Sequence, residues 1–212
     1  MLLCCVSPIA AQQAVNSNAD WQAWPEVTLS IRLNEKAAVV FYGTLHFGKN
    51  VSDLNEEQLG IALDFSLNKY FSLNSAYRHS SGQPPGRSHS QEDRFFLDFT
   101  ARAPLGDGFR LSDRNRGELR HINGMNSGRY RNRLQLERLF KINGHSVTPY
   151  LADEVFYDGR YHLWNRNRLY TGVRVPLSEH LGVDGYYLAQ SDVRDRPFKR
   201  RNVIGLALHF SY

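Results

Sequence analysis

The stretch "QLGIALDFSL", residues 58–67, alternates strictly: Leu59, Ile61, Leu63, Phe65 and Leu67 interleave with Gly60, Ala62, Asp64 and Ser66. Successive side chains of a strand point to opposite faces, so this order collects every large apolar group on one face. The closing "NVIGLALHFSY" repeats the arrangement, with Ile204, Leu206, Leu208, Phe210 and Tyr212 set against Val203, Gly205, Ala207, His209 and Ser211. Looser versions occupy "EVTLSIRL" (26–33), "AAVVFYGTLHF" (37–47), "FSLNSAYRH" (71–79), "DRFFLDFTAR" (93–102), "FRLSDRNRGELRH" (109–121), "RYRNRLQLERLF" (129–140), "SVTPYLADEVF" (146–156), "HLWNRNRLYTGVRV" (162–175) and "LGVDGYYLAQ" (181–190). These make about eleven strands and no convincing helix. The helix-friendly "VSDLNEEQLG" is short and falls to a loop.

The connections alternate in length. Short turns are expected at "NEK" (34–36), "NKY" (68–70), "PLGDG" (104–108), "KINGH" (141–145) and "PLSEH" (176–180), where Gly, Pro and Asn supply turn conformations. Longer polar loops are expected between them, at "GKNVSDLNEEQ", "SSGQPPGRSHSQE", "INGMNSG", "YDGRY" and "SDVRDRPFKRR". A soluble sandwich has no reason to lengthen every second connection, whereas a membrane barrel has short periplasmic turns and long outer loops. The fold class is therefore all-β, an antiparallel up-and-down transmembrane β-barrel. Bacterial single-chain barrels have even strand numbers, which favours twelve strands, with "DWQAW" (20–24) as a short extra one, and leaves ten open.

The chain begins "MLLCCVSPIAA", an uncharged apolar run ending in small residues and followed by polar "QQAVNSNAD". This reads as a secretory signal over residues 1–11, then an N-terminal segment 12–20, then the barrel over 21–212. No basic residue opens the run, so a truncated start, or the apolar end of a buried segment, is the alternative. Both cysteines, Cys4 and Cys5, lie inside it, and Leu3 ahead of them is not the small residue a lipoprotein signal wants. The remaining chain offers no disulfide framework or thiolate metal site, and no apolar run long enough for a membrane-spanning helix.

The polar faces separate a membrane barrel from a soluble one. The register of "RYRNRLQLER" places Arg129, Arg131, Arg133, Gln135 and Glu137 on one face. The strand before it gives Arg110, Ser112, Arg114, Arg116, Glu118 and Arg120, and "HLWNRNRLYTGVRV" gives Trp164, Arg166, Arg168, Tyr170, Gly172 and Arg174. Neighbouring strands would set these arginines side by side, interspersed with Glu118, Glu137 and Glu154. Arg114, Arg116, Glu118, Arg120, Arg129, Arg131, Arg133, Glu137, Glu154, Arg166 and Arg168 are accordingly the candidate lumen residues. They either fill a narrow interior as a salt-bridge network or line an anion-attracting pathway or lipid-head-group site. On the opposite face of the same register, Asp113 and Asn115 would turn to lipid, a costly placement away from the interface.

Net charge is +5 and the sequence pI about 9.3, a small excess that does not call for nucleic acid, since the arginine rows belong to strands with a complementary apolar face. No HExxH, GxSxG, phosphate loop or metal-ligand spacing occurs. Histidines and serines crowd "RHSSGQPPGRSHSQ", but a serine and histidine in one flexible loop lack the third group that fixes a base. The expectation is a non-enzyme with no cofactor and no metal site. An outer-membrane lipid-modifying enzyme using His79, Ser80 and Ser81, or a surface binding module using the loops, stands as the alternative.

Trp21 and Trp24, "DRNRGELR", "RYRNRLQLER", "TPYLADEVFY", "NRNRLYTGVRVPL" and a final strand ending in an aromatic residue together resemble a family of small Gram-negative outer-membrane β-barrel proteins catalogued as a domain of unknown function. The resemblance runs from about Trp21 to Tyr212. It implies an outer-membrane barrel and no assigned activity. The ending "GLALHFSY" is similar to the terminal signal read by the outer-membrane assembly machinery. Expected partners are thus outer-membrane lipid and that machinery, with no nucleic acid and the oligomeric state open. The role expected is structural or passive transport through an Arg/Glu-rich interior.

Overall fold

The computed structural model describes residues 20–83, 88–193 and 199–212; the presumed signal 1–11 and most of the segment after it lie outside the described residues. Twelve strands occupy them: β1 (Asp20–Arg32), β2 (Ala37–Gly48), β3 (Asp53–Ser66), β4 (Phe71–Gly82), β5 (Ser90–Gly106), β6 (Phe109–Ile122), β7 (Met125–Arg138), β8 (Phe140–Ile142), β9 (His145–Asp158), β10 (Leu163–Pro176), β11 (Leu181–Asp192) and β12 (Lys199–Ser211). Eleven of them close one barrel in chain order. The twelfth, β8, continues β7 past a break at Leu139 and pairs only with the start of β9.

Because eleven is odd, β1 and β12 run the same way. They close the wall as a parallel pair, from Asp20 opposite Arg201 to Ser30 opposite Ser211, while every other neighbouring pair is antiparallel. "DWQAW" does not form a strand of its own. β1 runs straight through Pro25, whose missing N–H falls where the β1–β2 ladder steps from Ala23 to Glu26.

Each rim gathers alternate connections. One, here the loop rim, holds residues 49–52, 123–124 and 159–162, the ends of β4 and β11 and the start of β1. The other, the turn rim, holds 33–36, 67–70, 107–108, 139–144, 177–180 and Tyr212. The difference in length is smaller than the sequence implied. "INGMNSG" contracts to a two-residue Asn123–Gly124 turn with φ of 47° and 86°, the left-handed pair that a tight hairpin requires. The strands also reach further than their apolar runs, so that Asp53 to Gln58 and Ser80 to Gly82 are wall and not loop.

The alternation sorts the side chains as a membrane barrel needs. Outward-facing Leu59 and Leu119 are 70% and 69% exposed, while inward-facing Leu188 and Val203 are at 0%. Most charged wall residues face in, and a wall mainly apolar outside and polar inside is the pattern of a transmembrane β-barrel. Part of the interior is nonetheless packed: Trp24, Tyr150, Ala152, Tyr170, Leu188 and Val203 form one apolar cluster, and Ala62, Ala76 and Phe96 another. Three tyrosines lie flat on a glycine of the next strand, Tyr42 on Gly60, Tyr150 on Gly172 and Tyr186 on Gly205. A Cβ on any of these glycines would run into the ring.

One inward row is shorter than its sequence register. A bulge between Trp164 and Arg166 in the β9–β10 ladder turns Trp164 outward, 53% exposed, edge-on to Tyr130 and Tyr157. Arg166 and Arg168 remain inside.

Candidate functional site

A cavity of about 1610 Å³ occupies the barrel, reaching Lys49, Asn50 and Asn123 at the loop rim and Ser66, Arg110 and Arg174 toward the turn rim. Arg114, Arg116, Arg120, Arg129, Arg131, Arg133, Glu137, Arg166 and Arg168 line it. Glu118 and Glu154 lie beneath the arginine layer, 2% and 0% exposed.

The carboxylates organise the arginines. Glu118 accepts from Arg129 Nε at 2.5 Å and from Arg131 Nη1 at 3.0 Å. Glu154 accepts from Arg114 Nη2 at 2.6 Å, Arg131 Nη2 at 2.7 Å and the Tyr170 hydroxyl at 3.1 Å. Arg131 therefore bridges the two glutamates. Asp98 takes the Arg116 fork through Nε and Nη2 at 2.5 and 2.6 Å, and Glu92 takes the Arg120 fork at 2.6 and 2.9 Å. Asp192 holds Arg166 and Arg201, and Glu137 holds Arg110. Such forked, charge-assisted bonds are what make buried guanidinium and carboxylate groups tolerable. Arg133 and Arg168 differ: among the described residues neither has a carboxylate within ion-pair distance. Each bonds a glutamine instead, Gln135 at 2.9 Å and Gln190 at 2.7 Å.

A second constellation lies on the outer wall at the loop rim. His79, Asp93, His121 and Asn126 stand directly opposite one another across β4, β5, β6 and β7. His79 Nδ1 is 2.8 Å from Asp93 Oδ1, the Tyr77 hydroxyl donates to the same oxygen at 2.6 Å, and His121 Nδ1 is 2.7 Å from Asn126 Oδ1. Two residues along β4 from His79, Ser81 Oγ lies 3.1 Å from His89 Nε2. Both row imidazoles thus spend Nδ1 on a fixed oxygen, which leaves Nε2 open. Ser80 does not belong here, because strand alternation turns it inward, 3% exposed.

Below the row the outer wall of β6, β7, β9 and β10 carries polar groups among its leucines. Asp113 and Asn115, which the register sends toward lipid, are met by neighbours: Asn132 Nδ2 donates to Asp113 at 2.5 Å, and the Tyr130 hydroxyl bonds Asn115. Asn167 does the same for Asp153 at 2.6 Å. The remaining strands present Leu, Ile, Val and Phe to the outside.

Sequence reasoning found His79 and Ser81 but not Asp93, His121, Tyr77 or Asn126. The available signal was parity, since Asp93 and His121 share the face of Phe95, Leu97 and Leu119. What spacing could not supply was the register that sets Asp93 opposite His79 and His121.

The barrel is similar to LpxR from Salmonella typhimurium, with a TM-score of 0.56, 87% of each chain covered and 8% sequence identity. At that identity the likeness is one of fold. LpxR is an outer-membrane enzyme, so the expectation of a non-enzyme, drawn from missing linear motifs, does not stand. No curated protein sequence matches the chain. The profile of the family described as "protein of unknown function (DUF2490)" matches residues 21–201, most of the barrel, and the chain belongs to that family.

Proposed function

We propose that the protein is an integral outer-membrane barrel of a Gram-negative bacterium that hydrolyses an ester bond in a membrane lipid at its outer wall, with the loop rim facing outward. The observation that carries this is the His79–Asp93–His121–Asn126 row. Polar side chains facing lipid are costly except near the interface, and a rim row meets head groups and ester linkages there. The fold shared with a lipid-modifying enzyme is in keeping with it.

In this reading Asp93 orients His79 so that Nε2 accepts a proton from water as the water oxygen bonds to the ester carbonyl carbon. The bond to the alkoxide then breaks, and the proton passes to the leaving oxygen, from His79 or from a protonated His121. Water is added across the ester, giving a fatty acid and an alcohol. β12, ending in outward Leu206 and Leu208 with Phe210, would present the chain to the assembly machinery.

The test is release of fatty acid from outer-membrane lipid extract in mixed micelles by the purified, folded barrel, followed by mass spectrometry. His79→Gln and His121→Gln should each lower the rate by about 10²–10⁴ with unchanged heat-dependent gel mobility. Undiminished turnover in both, or none by the unaltered protein, sinks the reading.

A second reading, passive passage of solutes, is favoured by the cavity's reach toward both rims. Planar-bilayer conductance decides it: a closed interior gives no openings.

A further inference from the structure

Three interior arginines share one construction. Arg78 donates through Nη1 to Gln58 Oε1 at 2.8 Å, and Gln58 Nε2 donates to Glu56 at 2.9 Å. Arg133 donates to Gln135 Oε1 at 2.9 Å, and Gln135 Nε2 to Glu137 at 2.7 Å. Arg168 donates through Nε to Gln190 Oε1 at 2.7 Å, and Gln190 Nε2 to Asp192 at 2.7 Å. In each case the acid stands two residues from the glutamine on the same strand face, so the amide is interposed between guanidinium and carboxylate. Each guanidinium also lies over an aromatic ring: Arg78 4.7 Å from the centre of Tyr42, Arg133 4.2 Å from Tyr170 and Arg168 5.0 Å from Trp24.

The consequence is electrostatic. Most lumen arginines are matched to a carboxylate by a direct ion pair, whereas these three have their orientation fixed and, among the described residues, no ion pair to cancel their charge. All three face the same cavity. Arg78 keeps its Nε buried without a hydrogen-bond partner among the described residues. A purely structural network would have no reason to spend three glutamines keeping acids away from arginines, since Glu at those positions would neutralise them.

We propose that the lumen is a binding chamber for a soluble anion bearing phosphate or carboxylate groups, held by Arg78, Arg133 and Arg168. The charged oxygens take the open N–H groups of the three guanidiniums, and the aromatic faces hold the guanidinium planes in place. The site is walled off from lipid, so its ligand enters from a rim. It needs a water-filled interior but neither a through passage nor hydrolysis at the outer wall.

The experiment is calorimetric titration of the full, detergent-folded barrel with inorganic pyrophosphate and, separately, citrate. The unaltered protein should bind at least one of them. Arg78→Gln, Arg133→Gln and Arg168→Gln should each weaken binding by about tenfold or more, the loss of a charge-assisted contact. Arg138→Gln, at the turn rim and outside the lumen, should leave it unchanged. Gln58→Glu, Gln135→Glu and Gln190→Glu keep every arginine but supply the carboxylate now held at a distance, and should weaken binding comparably. Heat-dependent gel mobility verifies that each variant is folded. No binding of either anion to the unaltered protein, or full affinity in the folded Gln→Glu set, overturns the proposal.

Discussion

Arg131 and Glu154 meet inside the barrel with Nη2 2.7 Å from Oε1, and the carboxylate, at 0% exposure, is also shared with Arg114 and the Tyr170 hydroxyl. Removing that one negative charge leaves Arg114 without its carboxylate and Arg131 with Glu118 alone. Glu154→Gln should therefore destabilise the folded barrel by about 3–5 kcal/mol, the cost of breaking a buried pair from one side. A urea titration of the lipid-refolded protein reads this as a lowered unfolding midpoint.

Lipid and lumen alternate residue by residue along β12, and on its outer face the cost of a charge should depend on depth. Leu206 faces out and is 51% exposed, beside inward Ala207 at 4%. Leu206→Arg should cost about 2–4 kcal/mol if it lies near the bilayer midplane, whereas Asn202→Arg toward the rim should cost about 0–1 kcal/mol. The same urea titration distinguishes them, and equal effects would contradict the assigned register.

The parallel seam makes a geometric prediction. Val27 and Leu208 are direct partners across β1 and β12. With Cys4 and Cys5 replaced by serine, a Val27→Cys/Leu208→Cys protein should form an intramolecular disulfide on mild oxidation. Val27→Cys/Ile204→Cys should not, being four residues out of register. Gel mobility before and after reduction gives the result.

Gly205 lies under the Tyr186 ring with no room for a Cβ. Gly205→Val should cost about 1–3 kcal/mol through overpacking. Adding Tyr186→Ala should recover part of that loss, so the double variant is more stable than the sum of the two single effects. Strict additivity would mean that the ring does not rest on the glycine.

The barrel was legible because its evidence is local: "QLGIALDFSL" declares a two-faced strand without reference to any neighbour. The same alternation placed Arg129, Arg131 and Arg133 on the inner face, yet it could not distinguish Arg131, which bridges Glu118 and Glu154, from Arg133, which reaches Gln135. Those partners sit on other strands or depend on how a side chain bends, and neither is a property of spacing. The bulge that swings Trp164 outward was hidden for a related reason, because one extra residue shifts parity without leaving a mark in "HLWNRNRLY". Closure was the hardest to read. Twelve strands were inferred from the even-number habit of such barrels, whereas β1 continues through Pro25 and eleven strands suffice for the wall.

An odd wall also bears on how the chain is put into a membrane. Antiparallel hairpins carry strands in pairs, so five hairpins account for ten strands and one must join singly. The parallel β1–β12 seam, with its slanted hydrogen bonds, is where that unpaired strand is absorbed. It brings the two ends of the barrel chain to opposite rims, so a single tag at each end would report from opposite sides of the bilayer.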